Sequence, residues 1–132
     1  MRAMTMALIL SLTAGIASAK PHLRDVPEID GTLLAVGIAD EIRKNCPDIS
    51  ARMLRAYTLV TGLKDKARAM GYSDAEIDAY RKSDAEKNRL KGARKAYLDA
   101  AGVTPGQPAG YCALGRAEIE RGGQIGALLR MN

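Results

Sequence analysis

Two cysteines, Cys46 and Cys112, stand 66 positions apart in this chain of 132 residues. A bond between them would close half of the chain into one loop, so their redox state constrains the fold more than any other feature. Disulfides persist in oxidising compartments and are rare in the cytosol. Whether these cysteines are bonded therefore depends on where the protein is located.

The N-terminal sequence MRAMTMALILSLTAGIASA predicts export. It has a positive charge at Arg2, then an uncharged stretch with an apolar centre at 7–12, and it ends in small residues at Ala17–Ala19. This is the pattern of a secretory signal peptide. A membrane anchor is disfavoured, because the uncharged stretch would give only roughly 25 Å of helix. We therefore predict a periplasmic protein that is cleaved after Ala19.

In that compartment a structural bond between Cys46 and Cys112 is the expected state of the pair. A redox-active pair is the alternative, and it is disfavoured because these cysteines lack the C-x-x-C spacing that tunes such thiols. A bond also suits the composition, since the chain contains no Phe and no Trp and its apolar core is thin. Small exported domains commonly compensate for a thin core with a disulfide.

Helical periodicity dominates the rest of the chain, and few stretches alternate with the period of a strand. We predict an all-α fold, a small bundle of four to five helices with one disulfide. The predicted organisation is a signal peptide at 1–19, an extended N-terminal segment at 20–29 and a single helical domain at 30–132. Asp30 is the expected cap of the first helix, and Pro47 is the expected start of the second.

The second predicted helix is the most regular one, and Gly71 stands where a left-handed C-cap would end it. Its apolar residues have a three-four spacing, which predicts one buried face. These residues are Ile49, Met53, Ala56, Val60, Leu63, Ala67 and Met70. The turn-rich segment 102–110 predicts a loop, after which a final helix is expected from Tyr111 to Arg121.

The tetrapeptide SDAE occurs twice between residues 73 and 86. In the first copy, Ser73 and Glu76 have the spacing of a capping box, which predicts a helix start. Ser83 and Glu86 repeat that spacing, and we favour a break at Ser83 over one continuous helix. A calcium-binding loop is excluded, because the positions that would need a glycine and a bidentate glutamate are both alanine.

The sequence predicts no catalytic, cofactor-binding or metal-binding residues, and hence a protein that is not an enzyme. The only histidine, His22, lies near the predicted mature N-terminus, and the haem-attachment and hydrolase motifs are absent. Acid–base work by Asp74 and Asp78, or by Glu118 and a partner, is the remaining alternative. We interpret these carboxylates as helix-start and surface charges.

A basic stretch, KNRLKGARK, predicts a candidate binding face for an anionic partner. Its cations Lys87, Lys91, Arg94 and Lys95 share one side of a helix. An acidic protein or an anionic lipid surface would suit it, whereas a solvated face without function is the alternative. We expect no nucleic acid partner, because export would separate the chain from DNA and RNA despite the net charge of +5.

Three stretches carry a resemblance to a family of small exported alphaproteobacterial proteins that is catalogued as a domain of unknown function. They are NCPDISARMLRAY, GYSDAEIDAYRKSDAEKNR and GYCALGRAEIERGGQIGALLR, within Cys46–Arg130. The resemblance implies no catalytic residues. It implies an envelope accessory role, since such genes can lie among those for respiratory complex I subunits. A looser similarity to small periplasmic acid-stress chaperones rests on architecture alone.

Two functions are therefore expected of this chain. The first is a non-enzymatic interaction or accessory module of the cell envelope, associated with a respiratory membrane complex. The second is a periplasmic chaperone or a carrier of small apolar ligands, which the thin, alanine-rich core would permit.

Overall fold

Five α-helices and one small sheet make up residues 19–132, the part of the chain that the computed structural model describes. The predicted signal peptide lies outside the described residues except for Ala19. The predicted all-α bundle with one disulfide is confirmed. None of the helices within 19–132 has both the length and the apolar content needed to span a membrane. The helices are α1 (Pro27–Asn45), α2 (Met53–Ala69), α3 (Asp74–Lys82), α4 (Asp84–Ala100) and α5 (Pro108–Arg121).

Both α1 and α5 begin at a proline and earlier than predicted. Pro27 opens α1, so Asp30 lies in its first turn and does not cap it. Pro108 opens α5, where Tyr111 was the expected start. Both predicted helix starts are therefore wrong. Proline suits the first helical position, because its fixed φ matches the helix and its missing N–H would have no partner there. The segment 20–29 is accordingly not extended throughout.

The predicted helix start at Pro47 is also wrong. Strand β1 (Ile49–Ala51) follows it and pairs antiparallel with strand β2 (Leu129–Met131), so that Ile49 lies opposite Met131. Helix α2 begins only after this strand. The pairing joins residues 49–51 to residues 129–131, so no local pattern around Pro47 could have predicted it.

Two apolar clusters form the core, and α1 contributes to both. The disulfide cluster surrounds Cys46, which follows α1, and Cys112 in α5, whose Cα atoms lie 5.1 Å apart. The N-terminal cluster lies at the other end of α1 and packs it against α2 and α3. Its members are Leu23, Val26, Ile29, Leu63, Ala67, Tyr72 and Ile77.

The two SDAE copies both begin helices, and the predicted break at Ser83 is confirmed. The Ser73 hydroxyl accepts a hydrogen bond from the Glu76 backbone N–H at 3.1 Å, and the Ser73 N–H donates to the Glu76 carboxylate at 2.6 Å. Ser83 has extended backbone angles and caps α4 by accepting from the Glu86 N–H at 3.2 Å. The Glu86 carboxylate does not return to Ser83, because it is engaged elsewhere.

Candidate functional site

The residues at 20–25, here called the N-terminal strap, are held by the two SDAE glutamates. The Lys20 ammonium lies 3.1 Å from the Glu76 carboxylate and donates to the Gly71 carbonyl at 2.8 Å. Arg24, four residues on, forms an ion pair with Glu86. The Tyr72 hydroxyl adds a hydrogen bond to the Pro21 carbonyl at 2.6 Å. Each SDAE copy therefore starts a helix and also binds one cation of the strap.

Beneath the strap, Glu86 belongs to a largely buried ionic network. Arg89 donates to the Glu86 carboxylate at 2.8 Å and pairs with Asp30 of α1. The Tyr80 hydroxyl donates to the same Asp30 at 2.5 Å. Burial and this bond to Asp30 raise the pKa of Tyr80, and the bonds to Asp30 and Glu86 raise the pKa of Arg89. These shifts hold Tyr80 and Arg89 protonated at neutral pH, and their bonds to Asp30 fasten α3 and α4 to α1.

A cleft of about 450 Å³ opens beside this network, between α1, α2, α3 and α4. Its walls are apolar and belong largely to the N-terminal cluster. Its mouth carries Lys64, Lys87 and Arg81, together with Asp78. The volume lies within the roughly 300–1,000 Å³ that is usual for small-molecule sites.

The start of α2 exposes three large side chains, here called the α2 patch. Met53 is 60% exposed, Leu54 is 79% exposed and Tyr57 is 70% exposed. The three-four spacing predicted that Met53, Val60 and Met70 would be buried, and this prediction is wrong, since Val60 is 38% exposed and Met70 is 40% exposed. The short helix-to-strand connections leave this end of α2 without a covering element from the described part of the chain.

A groove with positively charged walls adjoins the α2 patch. Arg52, Arg55 and Arg130 line the same groove as Met53 and Leu54, and no acidic residue lines it. The first turn of α2 has no acid and no side-chain cap. Arginine near a helix N-terminus is locally unfavourable, because the helix dipole is positive there. Local rules are commonly broken at functional sites, which favours a binding role for this end of α2.

The predicted basic face on α4 is divided by the fold. The Arg94 side chain packs over Gly37 of α1 and lies 3.5 Å from the Glu41 carboxylate. Lys95 pairs with Asp99 of its own helix at 2.5 Å. Lys87 and Lys91 remain exposed, and neither forms an ion pair with any other residue in 19–132. Only half of the predicted face is therefore available to an anionic partner.

The carboxylates considered for acid–base work are not brought together. Asp74 accepts from Arg68 at 2.7 Å on the surface, and Asp78 lies 3.5 Å from Arg81. Glu118 is buried and accepts from the Tyr97 hydroxyl. The three groups therefore have separate structural partners.

The strap is expected to loosen in acid. The Ser73 N–H and the Lys20 ammonium hold the pKa of Glu76 below its usual value of 4.5. A carboxyl whose pKa is lowered by folding stabilises the fold above its unfolded pKa, and that contribution is lost as the pH falls through the folded value. The protection of the strap amides against hydrogen exchange, measured relative to the intrinsic exchange rate at each pH, should therefore decrease as the pH falls below 4.5. In the Glu76→Gln variant the strap amides should lose this protection already at neutral pH. Glu120→Gln changes an exposed glutamate and should leave the exchange of the strap as in the unmodified protein. Equal exchange of the strap in the two variants would contradict its binding by Glu76.

The fold and these surfaces define a small, disulfide-bonded helical protein with an exposed apolar patch and an apolar cleft. The profile of one protein family, described as a family of unknown function (DUF5333), matches residues 21–130, so the chain belongs to this family. The match includes both cysteines and most of the strap, and it begins earlier than the resemblance over Cys46–Arg130. No curated protein and no solved structure matches the chain.

Proposed function

We propose that this protein is a non-enzymatic interaction module of the cell envelope, which docks on an acidic segment of an envelope protein through the α2 patch. The observation that carries the proposal is the exposure of Met53, Leu54 and Tyr57 at the start of α2, beside a groove that three arginines line. The disulfide supports an oxidising location, in agreement with the predicted export.

The composition of the α2 patch suits a protein partner. Tyrosine and arginine are enriched among the residues that dominate binding energy, and methionine and aromatic residues are enriched at interface cores. Arg52, Arg55 and Arg130 give the rim one sign of charge, which an acidic partner would complement. The basic face on α4 is the less favoured location, because Arg94 and Lys95 already have carboxylate partners.

A respiratory membrane complex is the first partner to test, since the family resemblance implies an association with its genes. A photo-reactive cross-linker placed at Leu54 in intact cells should capture one such subunit, joined through an acidic peptide. The same cross-linker at Met70, which is 40% exposed at the other end of α2, is the matched control.

Leu54→Asp with Tyr57→Asp should weaken the binding of the captured subunit by at least about 30-fold, the usual effect of losing a dominant contact. Binding to the captured subunit that survives the double substitution would overturn the proposal. A second outcome would also overturn it: the cross-linker captures no protein, and the protein binds anionic vesicles through Leu54 and Tyr57. That result would assign the α2 patch to a lipid surface.

We infer a second candidate function, a carrier of small apolar ligands, from the cleft between α1 and α4. Its apolar walls and its volume of about 450 Å³ support this candidate. The thin core that suggested a carrier is therefore accompanied by a formed recess. The test of the carrier function is whether an apolar probe binds in this cleft.

A further inference from the structure

We propose that the cleft binds a single-chain amphiphile with an anionic head group, of the fatty-acid class, with the head at Lys64 and Lys87. The proposal rests on the carrier candidate and adds the chemical class of its ligand.

The walls of the cleft provide the site for the chain. Ile29 and Leu33 of α1, Leu63 and Ala67 of α2, and Ile77 of α3 line it. Leu23 lines it too, and this residue is buried because the strap holds it in place. The volume of the recess is within the range of small-molecule sites, and its apolar walls suit a hydrocarbon chain.

The charges at the mouth select the head group. Asp78 lies 3.5 Å from Arg81, so these two charges offset each other. Glu86 is paired with both Arg24 and Arg89. Lys64 and Lys87 are exposed, and neither has an ion-pair partner among residues 19–132. The mouth therefore has an excess of positive charge beside an apolar recess, which complements a carboxylate joined to one hydrocarbon chain.

The proposal is tested by calorimetric titration of the purified protein with dodecanoate and with dodecanol. Both are kept below the concentrations at which they aggregate or separate from water. Dodecanoate should bind, and Lys64→Gln with Lys87→Gln should weaken its affinity about tenfold, which corresponds to about 1.4 kcal/mol. Dodecanol binding should not change in this variant. Lys66→Gln with Lys82→Gln removes two exposed lysines outside the cleft and should leave both affinities unchanged.

A variant that fills the cleft separates this site from adventitious surface binding. Val60 is half-exposed in the cleft wall, so Val60→Trp should block dodecanoate without perturbing the core. Equal affinity for the acid and the alcohol, unchanged by the lysine substitutions, would overturn the head-group assignment and leave the carrier function standing. Binding of neither probe would overturn both. A stable dimer that Val60→Trp disrupts would assign the cleft to a second copy of the chain and would also overturn the proposal.

Discussion

Replacing Cys46 and Cys112 together by alanine is expected to lower the free energy of unfolding by about 4 kcal/mol. The bond closes a loop of 66 residues, and its loss restores the conformational entropy of that loop to the unfolded chain. Domains of this size are stabilised by only about 5–15 kcal/mol, so the loss is a large fraction of the total. Urea unfolding of the oxidised protein and of the double variant gives the difference directly.

Reduction of the unmodified protein is the matched experiment, because it breaks the same bond without changing the buried side chains. A reducing agent should lower the unfolding midpoint of the unmodified protein to near that of the double variant, and it should leave the variant unchanged. An unfolding midpoint that reduction does not move would show that the bond contributes nothing, and it would refute the prediction.

The position of the disulfide also connects stability with the candidate interaction surface. Cys46 lies two turn residues before β1, and β1 leads into α2 and its exposed patch. The Arg52 backbone N–H donates to the Leu128 carbonyl at 2.7 Å, and the Arg55 side chain donates to the Ala127 carbonyl at 2.9 Å. The start of α2 is thereby fastened to the C-terminal segment. We therefore expect a rigid patch, which loses little entropy on binding.

Local signals correctly predicted where α2 and α5 end and where α3 begins. Gly71 and Gly122 both have positive φ where their helices stop, and Ser73 forms the complete capping box. These features depend on residues close in sequence, so the sequence contains what is needed to predict them. Proline was ambiguous: Pro27 begins a helix, whereas a strand follows Pro47. The difference depends on the pairing of β1 with β2, which is a long-range contact.

The candidate sites were harder to predict than the fold, for a physical reason. Helical periodicity identifies an apolar face but not whether another element covers it, so Met53 and Val60 were assigned to the core. The basic stretch on α4 was visible as a run of charge, but its pairing with Glu41 depends on how α4 packs on α1. The sequence identified the repeated SDAE as a pair of helix-start signals. Its second role, binding the strap, requires the tertiary positions of Lys20 and Arg24.

Replacing Arg89 by methionine is expected to lower the free energy of unfolding by about 3 kcal/mol, near the lower end for breaking a buried ion pair. The Asp30 side chain is 15% exposed and that of Glu86 is 8% exposed. Within residues 19–132 Arg89 is the one cation paired with Asp30, so its removal leaves a desolvated carboxylate whose remaining side-chain partner is the neutral Tyr80 hydroxyl. Arg81→Met is the matched control, because Arg81 and Asp78 are both well exposed and such pairs contribute at most about 1 kcal/mol.

A double-mutant cycle distinguishes the charge from the packing of the arginine stem. Asp30→Asn combined with Arg89→Met should cost less than the two single substitutions added together. A loss that is additive with Asp30→Asn would mean that Arg89 acts through its apolar stem. Because Arg89 also holds Glu86, which pairs with Arg24 of the strap, its loss should quicken hydrogen exchange at residues 20–25 even while the protein remains folded.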